Sequence, residues 1–443
     1  MSNVVTRFAP SPTGFLHAGN YRTAVFAYLF AKHSEGSFIV RIEDTDAERS
    51  KSEYEENIFE ALAWLNLPFD QRYRQSEHRA RHRKFLEKLI AADKAYLSKE
   101  IPKNPGDREE VIRFRNPKKV VSFTDVIRGE ITMDVSDLGD FIIARSFDEP
   151  VFHFAVVVDD ADEKVTHVIR GEDHISNTPR QILIQRALGF TPPLYAHLPL
   201  ILGSDRTKLS KRKNAKALTE YRDTGILPEA MLNYLAFLGW NPGDEREYLS
   251  RDELVIAFDF AQVQKGSAIF DETKLLSVNQ HWMRELSTDD FITRGALQAD
   301  DLKKLRLAVP LLKERAHTFG EAREMLTGEL SCLFHEPVLE KIKLLANEPA
   351  ERSGVTLSAL KALRTALEGL PEDISAEAVK AMLMPLAEDE EAKGKGGRGA
   401  VLWPLRYALS GQERSPDPFT LISILGHEEA ISRVGKAIAI LEE

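Results

Sequence analysis

The chain has 443 residues, of which 43% are hydrophobic and 29% charged, with a formal net charge of −10 at pH 7. This length suits roughly three domains. The composition is typical of a globular protein, and the negative charge disfavours a protein that binds nucleic acid through a strongly basic surface. The single cysteine, Cys332, excludes an internal disulfide and a multi-cysteine zinc site within a monomer.

No run of about 18 or more uncharged apolar residues occurs, so we expect no membrane-spanning helix. The start, "MSNVVTRFAP", lacks the basic and apolar regions of a signal peptide. We therefore expect a cytoplasmic protein without a membrane partner. Basic stretches at 207–216 ("TKLSKRKNAK") and 393–399 ("KGKGGRG") leave a polyanionic partner open, with solvated surface loops as the alternative.

The first third of the chain alternates strand and helix patterns. Val4 and Val5 precede a turn-rich stretch, "RFAPSPTGFLHAG" (7–19), and "SFIVRI" (37–42) predicts a strand that ends in the acidic "EDTD". Helices are predicted after 7–19, from the acidic stretch through Trp64, and over "RHRKFLEKLIAADKAYL" (81–97). The buried face predicted for the first helix consists of Ala18, Tyr21, Ala24, Val25, Tyr28 and Leu29.

The patterns change twice in the rest of the chain. Residues 101–150 contain short alternating runs between turn residues and resemble a β-rich insertion. "KVTHVIRGEDH" (164–174) then predicts a strand, and a helix follows with Asn177 or Thr178 as its N-cap. From 218 onward the pattern is helical. The order predicts an α/β fold with a parallel sheet, followed by an all-α region.

The stretch 7–19 is a candidate phosphate-binding site. Ligands of parallel α/β sheets gather at the carboxyl ends of strands, beside helix N-termini. Gly14 and Gly19 permit close backbone approach, the start of the helix offers unpaired N–H groups, and His17 adds an imidazole donor. A simple connector with a capping histidine is the alternative.

The second candidate is "KLSKR" (208–212), in which two lysines flank a serine. Such a loop could close over a triphosphate and follow charge onto the leaving pyrophosphate. A basic surface loop is again the alternative.

Together these motifs resemble those of class I aminoacyl-tRNA synthetases. "PSPTGFLHAGN" resembles the His-Ile-Gly-His region of that class, and "KLSKR" resembles its Lys-Met-Ser-Lys-Ser loop. "RFAPSPTG", "RIEDTD", "VIRGEDHISNTPRQIL", "AHLPLILG" and "LPEAMLNYLAFLGWNPGD" are similar, in the same order, to phrases of the bacterial glutamyl-tRNA synthetase family. The resemblance covers nearly the whole chain.

The resemblance implies a Rossmann-like catalytic domain, with an inserted subdomain that binds the tRNA acceptor stem. The implied segments are 1–70 and 156–217 for the two catalytic halves, 71–155 for the insertion, 218–300 for a helical stem-contact domain and 301–443 for an all-helical anticodon-binding domain.

The resemblance also assigns site residues. Those implied for catalysis are His17, Lys208 and Lys211. Those implied for ATP are Pro10, Ser11, Gly19, Asn20, Asp173, Ile201 and Lys211. Those implied for glutamate are Arg7, Ser11, Glu43, Phe152 and Arg170.

Each assignment implies a role. His17 helps to stabilise the pentacoordinate phosphorus, and Lys211 is the catalytic second lysine of the loop, supported by Lys208. Asp173 and Ile201 match positions that hold the nucleoside.

For glutamate, Arg7 and Arg170 match residues that bind the side-chain carboxylate, and Ser11 and Glu43 those near the ammonium group. Phe152 stands where relatives often have tyrosine, so a hydroxyl near the glutamate is missing.

The implied reaction has two steps. Glutamate and ATP, accompanied by Mg²⁺, give glutamyl-adenylate, and the acyl group then passes to the terminal adenosine of tRNA-Glu. Charging of tRNA-Gln stays open. We expect a monomer, and "KGKGGRG" and Arg406 are candidate RNA contacts in the helical region.

One departure from the family concerns zinc. Many relatives carry a cysteine zinc knuckle after the "KAY" helix, whereas "KAYLSKEIPKNPGDREEVIRFR" has no cysteine, so no protein-bound zinc is expected. His78 and His82, four residues apart, are expected on a surface helix rather than in a metal site.

Three alternatives remain. A glutaminyl-tRNA synthetase usually reads "PEPNG" where this chain reads "PSPTG". A paralogue that transfers glutamate to a tRNA base lacks the C-terminal helical region. A catalytically idle tRNA-binding relative would not need to keep His17, Lys211, Arg7, Arg170 and Glu43 together.

Overall fold

The computed structural model describes residues 3–101, 109–209, 216–346, 354–371, 373–392 and 397–443. The chain forms two compact units, Met1–Asn279 and Gln280–Glu443. In the described part, no helix has the length and apolar character needed to cross a membrane.

The described residues of the first unit form thirteen strands. They are β1 (Val5–Phe8), β2 (Ser37–Ile42), β3 (Gln71–Arg74), β4 (Ala95–Lys99), β5 (Glu110–Phe114), β6 (Val120–Asp125), β7 (Gly129–Asp134), β8 (Phe141–Ser146), β9 (Glu149–Pro150), β10 (His167–Gly171), β11 (Leu194–Leu198), β12 (Ile201–Leu202) and β13 (Ala268–Ile269).

The predicted parallel sheet is confirmed. Seven strands follow the order β3-β2-β1-β10-β11-β6-β7. All neighbouring pairs are parallel except β6 and β7, which form an antiparallel hairpin at one edge. The carboxyl ends of β1, β2, β10 and β11 therefore meet at one edge of the sheet, where ligands of such folds bind.

Nine helices begin among the described residues of this unit. They are α1 (Ala18–His33), α2 (Ser52–Trp64), α3 (Arg79–Ala91), α4 (Phe152–Asp162), α5 (Thr178–Leu188), α6 (Leu218–Asp223), α7 (Pro228–Phe237), α8 (Arg251–Ala257) and α9 (Glu272–Glu285). α3, α4 and α5 contribute leucine, valine, isoleucine and phenylalanine side chains to one buried cluster with β2, β10 and β11.

Local sequence signals explain several helix boundaries. α5 begins after Asn177, one of its two predicted N-caps, and α8 has a capping box between Ser250 and Glu253. The six residues predicted for the inner face of α1 are all buried. The helix predicted over 81–97 is wrong at its end. Asp93 has a left-handed φ of 51°, and Lys94 N–H donates to the Leu89 carbonyl, so the helix stops and the chain enters β4.

The β-rich stretch divides between two sheets. β4, β5, β8 and β9 form a separate antiparallel sheet. The hairpin β6–β7 instead extends the main sheet, through the pairing of Asp125 with Tyr195 of β11. β3 also belongs to the main sheet, although it lies within the predicted insertion 71–155. The five predicted domain segments stay predictions.

The described residues of the second unit form helices joined by turns, with no strand among them, as predicted for the region after 300. Its remaining helices are α10 (Thr288–Arg294), α11 (Leu302–Arg315), α12 (Phe319–Thr327), α13 (Lys341–Leu344), α14 (Val355–Leu367), α15 (Ala376–Ala392), α16 (Gly399–Ser410), α17 (Pro418–Leu425) and α18 (His427–Glu442).

A buried arginine ties α18 to its neighbours. Arg433 is 3% exposed and donates to the carbonyls of Cys332, Leu409 and His335. It also pairs with Glu429 one turn earlier. The guanidinium thus supplies hydrogen-bond donors to three backbone carbonyl groups that come from separate segments.

We predict that Arg433→Met lowers the free energy of unfolding of the second unit by at least about 2 kcal/mol, because buried carbonyls lose their donors. Thermal unfolding followed by circular dichroism measures the change. The control is Arg364→Met on α14, whose exposed guanidinium lies 3.8 Å from Glu368 and should contribute less than about 0.5 kcal/mol. Equal effects of the two substitutions would contradict this account.

Candidate active site

A cavity of about 490 Å³ opens at the carboxyl ends of β1, β2, β10 and β11. Every predicted site residue that the structure describes lines this cavity. They are Arg7, Pro10, Ser11, His17, Gly19, Asn20, Glu43, Phe152, Arg170, Asp173, Ile201 and Lys208. Lys211 lies outside the described residues.

His17 caps the first helix. Its Nδ1 accepts the N–H of Gly19 at 3.0 Å, and its own N–H donates to Asn20 Oδ1 at 3.2 Å. Because Nδ1 is an acceptor here, the hydrogen of the neutral ring sits on Nε2, which makes Nε2 a donor. The turn-rich stretch therefore orients the imidazole at the positive end of α1.

Two glycines let side chains fold close to the backbone around the cavity. A Cβ at Gly19 would lie 2.9 Å from Cε1 of His17, and one at Gly171 would lie 2.6 Å from Oδ1 of Asp173. Any larger residue at either position would displace the neighbouring side chain.

Arg7, at the end of β1, is 4% exposed, and its Nε donates to Asp160 Oδ1 at 3.1 Å. Among the described residues, its two terminal nitrogens have no hydrogen-bond partner. The carboxylate of Asp160 thus orients the guanidinium, while the terminal nitrogens can still bind a ligand.

Arg170, at the end of β10, is a buried cation without a carboxylate partner in the described part of the chain. It is 6% exposed, and it donates to His197 Nε2 at 3.2 Å and to Thr178 Oγ1 and Gln181 Oε1 at 2.8 Å. Burial lowers its pKa to about 10, so the side chain is charged at pH 7. A buried charge held by neutral groups favours an anionic ligand.

Glu43 follows β2 directly and is 6% exposed. Burial raises the pKa of its carboxyl group, and Arg41 opposes that shift from 3.1 Å. Arg41 also contacts Asp160 at 2.8 Å and Glu163 at 2.5 Å. The floor of the cavity therefore rests on a buried cluster in which three carboxylates share Arg41.

Two histidines, one in α3 and one in the turn before it, contact a carboxylate of this buried layer. The expectation of a surface helix is wrong for His82, which is fully buried, with its Nε2 2.7 Å from Asp159 Oδ1. His78 Nδ1 lies 3.2 Å from the same oxygen. Although burial acts to raise the pKa of Asp159, these hydrogen bonds hold it well below its usual range. Among the described residues, no group of three or more His, Cys, Asp or Glu side chains is arranged to hold a metal.

Asp173 and Ile201, which are assigned to the nucleoside, line the cavity together with Lys208 of the loop. Lys208 Nζ contacts Asp173 Oδ2 at 2.8 Å, and both side chains are about half exposed. Ile201, in β12, is 5% exposed and provides an apolar wall. Phe152 starts α4 and lies against His174, with ring centroids 5.5 Å apart.

Sequence reasoning missed several side chains that shape the cavity. Arg22 is buried in α1 and donates to the carbonyls of Leu238 and Pro199. Its position four residues after Ala18 puts it on the predicted buried face, and a charge on that face was an available signal. His197 and Asp125 have no local signal, because their contact joins separate strands.

The cavity has an excess of positive charge. Arg7, Arg22, Arg170 and Lys208 line it, against the carboxylates of Glu43 and Asp173. The location at strand ends, the helix N-terminus and this charge are typical of an α/β site for anionic ligands.

Comparisons with known proteins agree with this class of site. The family model "tRNA synthetases class I (E and Q), catalytic domain" matches residues 3–105 and 98–277, and the model "Anticodon binding domain" matches 277–438. The chain belongs to this family of class I glutamyl- and glutaminyl-tRNA synthetases.

Two curated relatives and one solved structure illustrate the similarity. Glutamate–tRNA ligases from Aquifex aeolicus and Heliobacterium modesticaldum are 39% and 37% identical, covering 98% and 99% of this chain and 98% and 97% of the relatives. The crystal structure of a glutamate tRNA ligase from Elizabethkingia meningosepticum, in complex with its amino acid, is 33% identical. It superposes with a TM-score of 0.85, covering 99% of this chain and 100% of that one.

We predict a pH-dependent effect of Glu163→Gln. Burial raises the pKa of Glu163 to about 7, from an ordinary value of 4.5, and its Oε1 has no partner among the described residues. The folded state thus binds the proton more tightly than the unfolded state, so wild-type stability falls as pH rises from 4.5 to about 7.

Glutamine cannot ionise, so the stability of the variant relative to wild type should increase by about 1–3 kcal/mol across this pH window and then level off. Denaturant unfolding at a series of pH values measures the difference. Glu56→Gln, at an exposed position on α2, is the control and should give a flat difference. A variant that is less stable by the same amount at every pH would contradict the argument.

Proposed function

We propose that this chain is a glutamate–tRNA ligase that forms glutamyl-adenylate from glutamate and ATP and then charges tRNA-Glu. The observation that carries the proposal is the pair of buried arginines, Arg7 and Arg170, beside Glu43 in one cavity. The similarity to curated glutamate–tRNA ligases over nearly the full chain supports it.

The amino acid is proposed from the chemistry of its side chain. The Arg170 guanidinium can donate to a carboxylate through Nη1, which has no partner among the described residues, with charge assistance. The amide of glutamine offers one acceptor and brings two donors toward the same cation, so it leaves the buried charge underpaired. Glu43, which faces the same cavity, suits the ammonium group, with Ser11 nearby.

For ATP, we propose that the phosphates lie against the N-terminus of α1. The positive end of the helix dipole and the Nε2–H of His17 would stabilise charge that develops as the glutamate carboxylate attacks the α-phosphorus. Gly19 and Asn20 would contact the nucleotide, together with Pro10 and Ser11.

The nucleoside would lie between Asp173 and Ile201. Lys208 and Lys211 would approach the phosphates and stabilise the leaving pyrophosphate. Their assignment rests on the family resemblance, and the contact between Lys208 and Asp173 supports a place for Lys208 at this side of the cavity.

In the second step, a hydroxyl of the terminal ribose of tRNA attacks the carbonyl carbon of the adenylate, and AMP leaves. No group of the protein becomes acylated in this scheme. Catalysis would therefore depend on positioning and on stabilising negative charge at phosphorus and at the carbonyl oxygen.

Mg²⁺ would accompany ATP and supply charge neutralisation at the phosphates. The described residues offer no group of three or more metal-binding side chains, so the expected ligands are phosphate oxygens and water.

The tRNA partner and the form of the enzyme are also proposals. We propose tRNA-Glu, with tRNA-Gln as an alternative, for a monomer in the cytoplasm. Of the candidate RNA contacts, residues 393–396 lie outside the described residues. Arg406 stacks 4.7 Å from the ring centroid of Trp403 and donates to the Glu413 carbonyl at 2.8 Å.

The family match leaves the glutaminyl enzymes as the second candidate, since the model covers both specificities. The relatives described above are all glutamate–tRNA ligases, and the anticodon-binding match disfavours the base-modifying paralogue, which lacks that region.

A charging assay tests the proposal. Purified tRNA-Glu and tRNA-Gln are each incubated with ATP and radiolabelled glutamate or glutamine, and acid-precipitable label is counted. We predict that glutamate is attached to tRNA-Glu and that glutamine is attached to neither tRNA. Label from glutamate on tRNA-Gln would identify a non-discriminating enzyme. Attachment of glutamine in preference to glutamate would overturn the amino-acid assignment.

A second prediction concerns the loop lysine. Lys211→Ala should slow adenylate formation by at least about 10²-fold, because the charge that stabilises the leaving pyrophosphate is lost, while tRNA affinity stays nearly unchanged. Single-turnover kinetics and filter binding measure the two quantities. Lys265→Ala, at an exposed position, is the control. Wild-type turnover in Lys211→Ala would refute the role.

A further inference from the structure

The orientation of Arg170 involves two further buried residues, His197 and, through it, Asp125. Arg170 and His197 are cross-strand partners in the ladder between β10 and β11. His197 is fully buried, and its Nε2 lies 3.2 Å from Arg170 Nε. Because an arginine Nε always carries hydrogen, this contact requires Nε2 to be an acceptor.

Asp125 fixes the ring in the form that satisfies this requirement. Its Oδ2 lies 2.7 Å from His197 Nδ1 and accepts the backbone N–H of His197 at 3.0 Å. A hydrogen on Nδ1, donated to the carboxylate, leaves the lone pair on Nε2 directed at Arg170. Burial lowers the pKa of His197 and outweighs the hydrogen bond to Asp125, which acts to raise it, while the nearby Arg170 charge also favours the neutral ring.

The Asp125 carboxylate is itself locked. Its Oδ1 accepts the N–H groups of Ile127 and Arg128 at 3.0 and 2.8 Å, in the turn between β6 and β7. Three neighbouring strands thus contribute one residue each to a continuous hydrogen-bonded chain, from Asp125 through His197 to Arg170.

The other contacts of Arg170 leave Nη1 of the guanidinium for the ligand. Thr178 and Gln181 both accept from Nη2. Among the described residues Nη1 has no partner, and Arg170 lines the cavity. The direction in which Nη1 faces the cavity therefore depends on how Nε and Nη2 are held.

We propose that Asp125 and His197 are positioning residues that set the orientation of the Arg170 guanidinium for the side-chain carboxylate of glutamate, and that they thereby contribute to the rejection of glutamine. The proposal rests on the proposed function. Neither residue would touch the substrate, so both would act through Arg170 on the affinity for the amino acid and hardly at all on that for ATP.

The first test is Asp125→Asn, measured by aminoacylation at varied glutamate and varied ATP. The amide keeps the shape of the carboxylate but would donate to Nδ1, which forces the ring hydrogen onto Nε2 against the Nε–H of Arg170. We expect the KM for glutamate to rise about 10–100-fold, a range typical of residues that orient a ligand-binding group, with the KM for ATP within about twofold of wild type.

The matched control is Asp134→Asn in the same hairpin. Asp134 is exposed and its Oδ1 accepts the N–H of Ser136 in a similar turn, without a histidine partner. It should leave both KM values unchanged, which separates loss of the turn contact from loss of the histidine orientation.

A second pair of variants tests His197 without changing Asp125. Glutamine in His197→Gln can present Oε1 as an acceptor near the position of Nε2, whereas methionine in His197→Met has a similar volume and no comparable acceptor. We expect His197→Gln to keep the KM for glutamate within about threefold and His197→Met to raise it at least about tenfold. His197→Met should also lower the ratio of kcat/KM for glutamate to kcat/KM for glutamine.

The proposal would be overturned if the KM values for glutamate and ATP increased equally, or if His197→Gln and His197→Met changed the KM for glutamate equally. Asp125 and His197 would then have only a structural role. If Asp125→Asn does not fold, the two His197 variants decide between these outcomes. Failure of the wild-type enzyme to charge tRNA with glutamate would instead contradict the proposed function.

Discussion

The site depends on a cation that the protein buries without neutralising. Arg170 is held in the sheet by a histidine, a threonine and a glutamine, and no carboxylate pairs with it in the described part of the chain. A charge in such surroundings costs solvation free energy that hydrogen bonds recover only in part. The ligand that recovers the remainder best is an anion, which makes binding specific because a neutral isostere leaves the cation underpaired.

The parallel sheet makes this arrangement possible. Arg7, Glu43 and Arg170 each stand at or just after the end of a strand, so three elements distant in sequence deliver their charges to one edge. Arg7 differs from Arg170 because Asp160 partly compensates it. The buried layer of Arg41, Asp159, Asp160 and Glu163 stiffens the base of the same cavity. The cavity thus combines a base in which charges are partly paired with one cation, Arg170, that has no carboxylate partner among the described residues.

Local signals in the sequence predict much of this fold, and resemblance predicts most of the site. The caps at His17 and Ser250 depend on residues within three positions, so they can be recognised without the tertiary structure. Contacts between strands and helices far apart in the chain cannot be recognised this way. The pairs Asp125–His197 and His82–Asp159 are separated by 72 and 77 residues. For the same reason the helix pattern through residue 97 was misleading, since pairing with β5 turns that segment into a strand.

The most direct test compares the equilibrium affinities of two stable adenylate analogues, one carrying a glutamyl and one a glutaminyl group, by isothermal titration calorimetry. The two ligands share the nucleotide and the ammonium group, so the difference reports the environment of the side-chain terminus alone. The account predicts that the glutamyl analogue binds at least about 10²-fold more tightly, because only its carboxylate pairs with Arg170 and Arg7. Equal affinities would contradict it.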